Sequence, residues 1–164
     1  MITRIQALNF RSLRYINQLL SPFHVLVGPN ASGKTTFLDV VAFLGNFVSD
    51  GLDFAIEERT QKLQDLIWAG KYENGDKKEK NKLADKFELA IEASIPIAIQ
   101  SKFSNIVYET IRYELSVGFN DKTKENAVLS EKVLLIKQSS SKNFNKPQQD
   151  LFPFPIKPPK TILT

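Results

Sequence analysis

Cysteine is absent from the 164 residues, and histidine, methionine and tryptophan occur once each. The first absence excludes disulfides, thiolate zinc sites and thiol nucleophiles, and it fits a reducing, cytoplasmic location. With His24 as the only imidazole, a Ser-His-Asp triad has nothing to be built on, and a lone histidine in an apolar run is expected to pack. No stretch approaches 18 consecutive apolar residues, so neither a membrane-spanning helix nor a membrane partner is expected. The N-terminus has no basic segment followed by an apolar run and a cleavage site, so no signal peptide is expected. What is present is ordinary for a globular domain: 42% hydrophobic and 24% charged residues. That suffices for one core, in one domain or one and a fraction. The net charge of +4 permits nucleic-acid contact without arguing for it.

The informative string is Gly28-Pro29-Asn30-Ala31-Ser32-Gly33-Lys34-Thr35, which reads G-x-x-x-x-G-K-[ST], the phosphate-binding P-loop. By composition alone such a string arises in roughly one chain in two hundred of this length. Context strengthens it. The apolar run Phe23-His24-Val25-Leu26-Val27 precedes it and predicts a buried strand; Phe37, Val40, Val41 and Leu44 follow on one helical stripe. The chemistry follows from the residue types. Backbone N–H groups of Asn30, Ala31, Ser32 and Gly33, with the positive end of the helix, attract phosphate oxygens. Lys34 supplies a mobile point charge for the β- and γ-phosphates, and the Thr35 hydroxyl can ligate Mg²⁺. Gly33 leaves room for close approach.

Along the chain, residues 2 to 9 alternate as a strand, 10 to 13 form a turn, and Tyr15 to Leu20 make a second strand. Helix one is predicted over Gly33 to Phe47, with Asp50 capping a short second helix through Ile56. Leu63, Leu66 and Ile67 have helical spacing. Residues 72–86, with five lysines, predict a flexible lysine-rich loop. Phe87 to Ile95, Val107 to Phe119 and Ala127 to Ile136 alternate as three strands of an antiparallel meander. Residues 138–164, rich in serine and proline, predict a linker or tail. The expected organisation is therefore a nucleotide-binding core over 1–71, the loop, a β-subdomain over 87–137, and the tail. The fold class is α/β, a P-loop NTPase with an appended antiparallel β-meander. Within the tail, Gln148-Gln149-Asp150-Leu151-Phe152 is similar to the short peptide by which bacterial proteins dock on the replication sliding clamp.

Two stretches carry a family likeness: Ile-Gln-Ala-Leu-Asn-Phe-Arg-Ser-Leu at 5–13, and Val-Leu-Val-Gly-Pro-Asn-Ala-Ser-Gly-Lys-Thr-Thr-Phe-Leu-Asp-Val-Val at 25–41. They resemble the N-terminal lobe of ABC-type ATPase heads, the RecF, SMC and OLD-like prokaryotic "AAA family" group. Asp65-Leu66-Ile67-Trp68-Ala69-Gly70 extends the likeness more loosely. The resemblance implies that Asn30, Ser32, Gly33, Lys34, Thr35 and Thr36 hold ATP and Mg²⁺, with Thr36 toward the α-phosphate. It also implies that Arg11 and Ser12 lie beside the nucleotide; as plain chemistry Arg11 is a fork donor suited to phosphate. Gln61 and Gln64 lie in the region where such heads carry a metal-proximal glutamine, and neither matches it well enough to be assigned.

Hydrolysis needs an apolar strand ending in Asp-Glu to hold Mg²⁺ and orient water. No such strand occurs: Val133-Leu134-Leu135-Ile136 runs into Lys137-Gln138. A Leu-Ser-Gly-Gly loop is also missing. Both motifs belong to the C-terminal half of such heads, so the sequence is expected to be a fragment, a truncated product or one part of a split protein, inactive alone. The resemblance implies a complete protein that dimerises through nucleotide and couples hydrolysis to DNA repair, chromosome maintenance or phage defence, with DNA as a possible partner. The rival readings are a module that binds nucleotide without turnover, and an interaction protein whose P-loop is incidental.

Overall fold

The computed structural model describes residues 1–70, 84–103, 108–120, 122–123, 125–137 and 160–163. Most of the lysine-rich loop and of the Pro/Ser-rich tail, including the clamp-like pentapeptide, lies outside them. Six strands form one antiparallel sheet: β1 (Ile2–Phe10), β2 (Leu13–Leu19), β3 (Lys86–Ser94), β4 (Thr110–Asn120), β5 (Glu125–Ile136) and β6 (Lys160–Leu163), in spatial order β2-β1-β3-β4-β5-β6. Because β1 pairs with β2 on one side and β3 on the other, strands from the expected core and the expected subdomain share this sheet. The β1–β2 turn is tighter than residues 10 to 13; Phe10 already pairs with Leu13. Asn9 and Arg11 accomplish this with left-handed backbones, at φ 56° and 52°. Within the residues expected as tail, 160–163 pair with β5 as a sixth strand.

The alternation in β3 and β4 has the physical consequence expected of period two. Phe87, Leu89, Leu115 and Val117 face one side, where they meet Ile5, Ala7 and Phe10 of β1 and the apolar stripe of α1 (Lys34–Glu57). Three rings form the centre of that contact. Phe43 of α1 meets Phe10 and Phe87 edge-on, with centroids 5.7 and 5.4 Å apart, and Phe10 lies 5.1 Å from Phe87. All three are fully buried. The two predicted helices are one element bent at Gly51, whose φ of 88° and ψ of −179° interrupt the helix. The bend lets Ala55 and Ile56 turn back into the same core. Leu63 and Leu66, on a single 3₁₀ turn (Leu63–Leu66), close its edge. A four-residue helix, α2 (Ile97–Gln100), follows β3.

The opposite face is unusual in being polar and buried. Arg112 donates to Glu114 (2.6 Å), Gln6 (2.5 Å) and Glu92 (2.8 Å), and Arg4 lies 3.1 Å from Glu92. Arg4, Glu92 and Arg112 are directly opposite one another in register on β1, β3 and β4. Opposite charges so placed favour this pairing over any one-residue slip. On the helix-facing side, where it packs against the core, Tyr113 donates to Glu131 across β4 and β5 at 2.8 Å, and burial together with that carboxylate pushes the phenol pKa up.

The segment before the P-loop differs from expectation. Residues 23 to 27 are not a buried strand: they pair with no strand, and no backbone hydrogen bond joins them to another described residue. Phe23, Val25 and Val27 are 82%, 62% and 89% exposed. Intervening His24 and Leu26 line an apolar groove of about 500 Å³ with Ile2, Ile5, Leu20, Phe37, Leu38, Val41 and Ala42. The reason is topological. Among the described residues the only sheet is antiparallel and ends at β2, so none of them lies beside this segment to bond its backbone.

If the ring cluster fixes α1 on the sheet, Phe43→Ala should destabilise the chain by about 3–5 kcal/mol, whereas Phe119→Ala, half exposed at the β4 end, should change stability by about 0.5 kcal/mol or less. Urea unfolding followed by circular dichroism measures both.

Candidate phosphate-binding site

The P-loop emerges where α1 begins. Gly33 caps the helix at φ 89° and ψ 6°, and Ala31 is also left-handed at φ 62°. Left-handed residues on either side of Ser32 are the kind of backbone alternation that forms an anion nest, and the Ser32 N–H itself donates to the Pro29 carbonyl at 3.4 Å. The positive φ requires glycine at position 33, and a Cβ there would also stand a tight 3.1 Å from Leu13 Cδ2. The first helical bond runs from the Phe37 N–H to the Gly33 carbonyl at 2.8 Å. Earlier N–H groups have no intrahelical acceptor, and no acidic residue occupies the first turn to offset the helix dipole.

Lys34 folds back over this loop. Its Nζ donates to the Gly28 and Pro29 carbonyls at 2.8 and 2.5 Å and to Ser32 Oγ at 3.3 Å. The ammonium is thereby parked on groups that a phosphate would replace as partners. Asn30, Ala31, Ser32 and Thr35 are exposed. A pocket of about 310 Å³ adjoins the loop, bordered by Gly28, Ser32 and Lys34 and floored by Leu13, Ile16 and Phe37. Thr36 points elsewhere: it is buried, with Oγ1 2.9 Å from Ser12 Oγ. That contact brings the β1–β2 turn to the first turn of α1, and with it Arg11. Arg11 donates to Asp39 at 2.5 Å, and Arg59 donates to the other oxygen of the same carboxylate at 2.8 Å.

Asp39 and Arg59 are the residues that sequence reasoning missed. Asp39 carried a usable signal, since three or four residues after Thr36 and Thr35 it must share their side of the helix. Arg59 carried none, because its approach depends on the bend at Gly51. His24, expected to pack, is exposed at the rim of the apolar groove. Among the described residues no cluster of three His, Cys, Asp or Glu could hold a metal unaided. Thr35, the candidate ligand among the described residues, would suit an ion that mostly keeps waters and nucleotide phosphates around it.

The family model for the AAA ATPase domain matches residues 1–154. The chain belongs to the AAA ATPase domain family. Its fold has a counterpart among solved structures, one described as "Structural biochemistry of ATP-driven dimerization and DNA stimulated activation of SMC ATPases". The two share 22% identity over 83% of this chain and 69% of that one, with a TM-score of 0.52. At that identity the likeness concerns fold alone, and it agrees with the ABC-type N-terminal lobe expected from the sequence. No curated protein sequence matches the chain. As an AAA ATPase domain the chain is an ATP-binding module, and Gly28–Thr35 is the element that fits the role.

Lys34→Ala should therefore weaken ATP·Mg²⁺ binding by about 2–4 kcal/mol, the scale for removing one partner of a close charge pair. Isothermal titration calorimetry reads this directly, and unchanged affinity would remove the loop from the binding site.

Proposed function

We propose that this chain is the ATP·Mg²⁺-binding N-terminal lobe of an ABC-type, RecF/OLD-like ATPase, and that turnover requires a C-terminal lobe. The observation that carries the reading is a formed P-loop behind an apolar segment that pairs with no strand. The loop has its left-handed residues and its free helix start. The segment that should anchor it alternates apolar residues on a bare face and bonds to no strand. An apolar strand in that state needs parallel neighbours on both edges and a covering layer. The sequence features missing for hydrolysis, an acidic strand end and a signature loop, belong to the same lobe in the ABC-type pattern. One missing lobe thus accounts for both deficits.

In this reading Thr35 ligates Mg²⁺, Lys34 leaves the loop carbonyls for the β- and γ-phosphates, and the loop N–H groups hold phosphate oxygens. A carboxylate from the partner lobe orients the attacking water. The SMC ATPase structure is described by ATP-driven dimerization and DNA-stimulated activation. By analogy the complete protein forms a homodimer closed by nucleotide and acts on DNA, in repair, chromosome maintenance or phage defence. The second reading, a nucleotide-binding module without turnover, is favoured by one fact: no acidic strand end occurs anywhere in these 164 residues.

The purified chain should bind ATP·Mg²⁺ by calorimetry and release no measurable phosphate. Adding a C-terminal half with an Asp-Glu strand end should restore hydrolysis, which supports the first reading over the second. Steady phosphate release by the chain alone, lost in Thr35→Ala, would contradict the division of labour. No ATP binding would leave an interaction protein with an incidental P-loop.

A further inference from the structure

Asp39 is held by two arginines that differ in kind. Arg59 has a side chain only 8% exposed, lies 5.2 Å over the Phe43 ring, and commits a second nitrogen to the Ala55 carbonyl at 2.8 Å. It is fixed by packing as well as by charge. Arg11 is 40% exposed, and its side chain forms its hydrogen bond and ion pair with Asp39. Its backbone, by contrast, is firmly set. The left-handed φ of 52° and an N–H bond to the Leu66 carbonyl at 2.8 Å root it. Its neighbour Ser12 touches Thr36, next to the metal-ligand candidate Thr35. A guanidinium with donors to spare is thus held near the start of α1 by a contact open to solvent.

The energetics favour exchange at one arginine and not the other. An exposed ion pair shifts an equilibrium by only about two- to fivefold, and salt screens it. An arginine gripping phosphate with two N–H donors does better. Removing Arg59 from Asp39 would strand a carboxylate that is 13% exposed, which is far costlier. If Arg11 leaves, Asp39 therefore remains neutralised.

We propose that Asp39 is a positioning residue that parks Arg11 beside the P-loop in the nucleotide-free chain and hands it to the phosphates of bound nucleotide, while Arg59 stays behind to balance the carboxylate. The proposal rests on the nucleotide-binding reading above and adds a regulation to that site: nucleotide and Asp39 compete for one arginine.

Calorimetry with ATP·Mg²⁺ on the full 164-residue chain tests it as a cycle of four proteins: wild type, Asp39→Asn, Arg11→Gln and the double variant. Freeing Arg11 in Asp39→Asn should tighten ATP about two- to fivefold. In the Arg11→Gln background the same change should bring little or no gain. An equal gain in both backgrounds means simple relief of charge repulsion and overturns the handover. Weaker binding in Asp39→Asn with Arg11 present does so as well, since it marks a purely structural carboxylate. A wild-type measurement guards against a variant that fails to fold. The Nε–H signals of the two arginines, followed by nuclear magnetic resonance, should respond unequally to ATP·Mg²⁺: Arg11 moves and Arg59 does not. Both moving, or neither moving while ATP binds, contradicts the proposal. Wild-type chain that binds no ATP ends the nucleotide reading itself, and the handover with it, so the two failures are told apart.

Discussion

The position of one helix determines what the rest of this molecule can do. α1 is held to the sheet by the stack of Phe43 against Phe10 and Phe87, three rings with no solvent exposure. Edge-on packing of this kind has preferred geometries, so it orients the helix as well as burying area. Gly33, Lys34 and Thr35 are the first residues of that helix or its cap. Their aim is inherited from a contact two to three turns away. Phe10 ends β1 and leads straight into Arg11 and Ser12, so the same ring that anchors the helix also places the turn that touches Thr36.

The sheet has to be in register for this to work, and the buried charges on its far face contribute to that. Glu92 lies between Arg4 and Arg112 on neighbouring strands, with Gln6 and Glu114 completing the donors and acceptors. A buried ionic group adds little net stability against an apolar substitute, but a broken one is costly. Its effect here is selective: a slip of one residue would separate these charges and turn the ring cluster to the wrong face.

Much of this was legible in the residues. Alternation in 87–95 and 111–117 located β3 and β4 and their core face, and G-x-x-x-x-G-K-[ST] located the loop. Short-range patterns sufficed because both depend on local geometry. The run at 23–27 misled for a related reason. Its apolar character states that the segment needs neighbours and a cover, not that this chain supplies them. The polar face of β3 and β4 reads as solvent-facing from alternation alone, and only cross-strand pairing reveals that Arg112 and Glu114 are buried. Asp39 and Arg59 meet through the bend at Gly51, a long-range event that no sequence window contains.

In the proposed reading, a helix start ready for phosphate, joined to an apolar segment that pairs with no strand, is completed by a second lobe. Hydrogen exchange at the backbone amides of Val25, Leu26 and Val27 tests this most directly, because exchange reports whether each N–H has found a partner. In the chain alone these amides should exchange with little protection, with or without ATP·Mg²⁺, while those of β1 are protected. They should become protected when a C-terminal lobe is added. Protection equal to that of β1 in the isolated chain would show that the strand is already paired, and would contradict the two-part site.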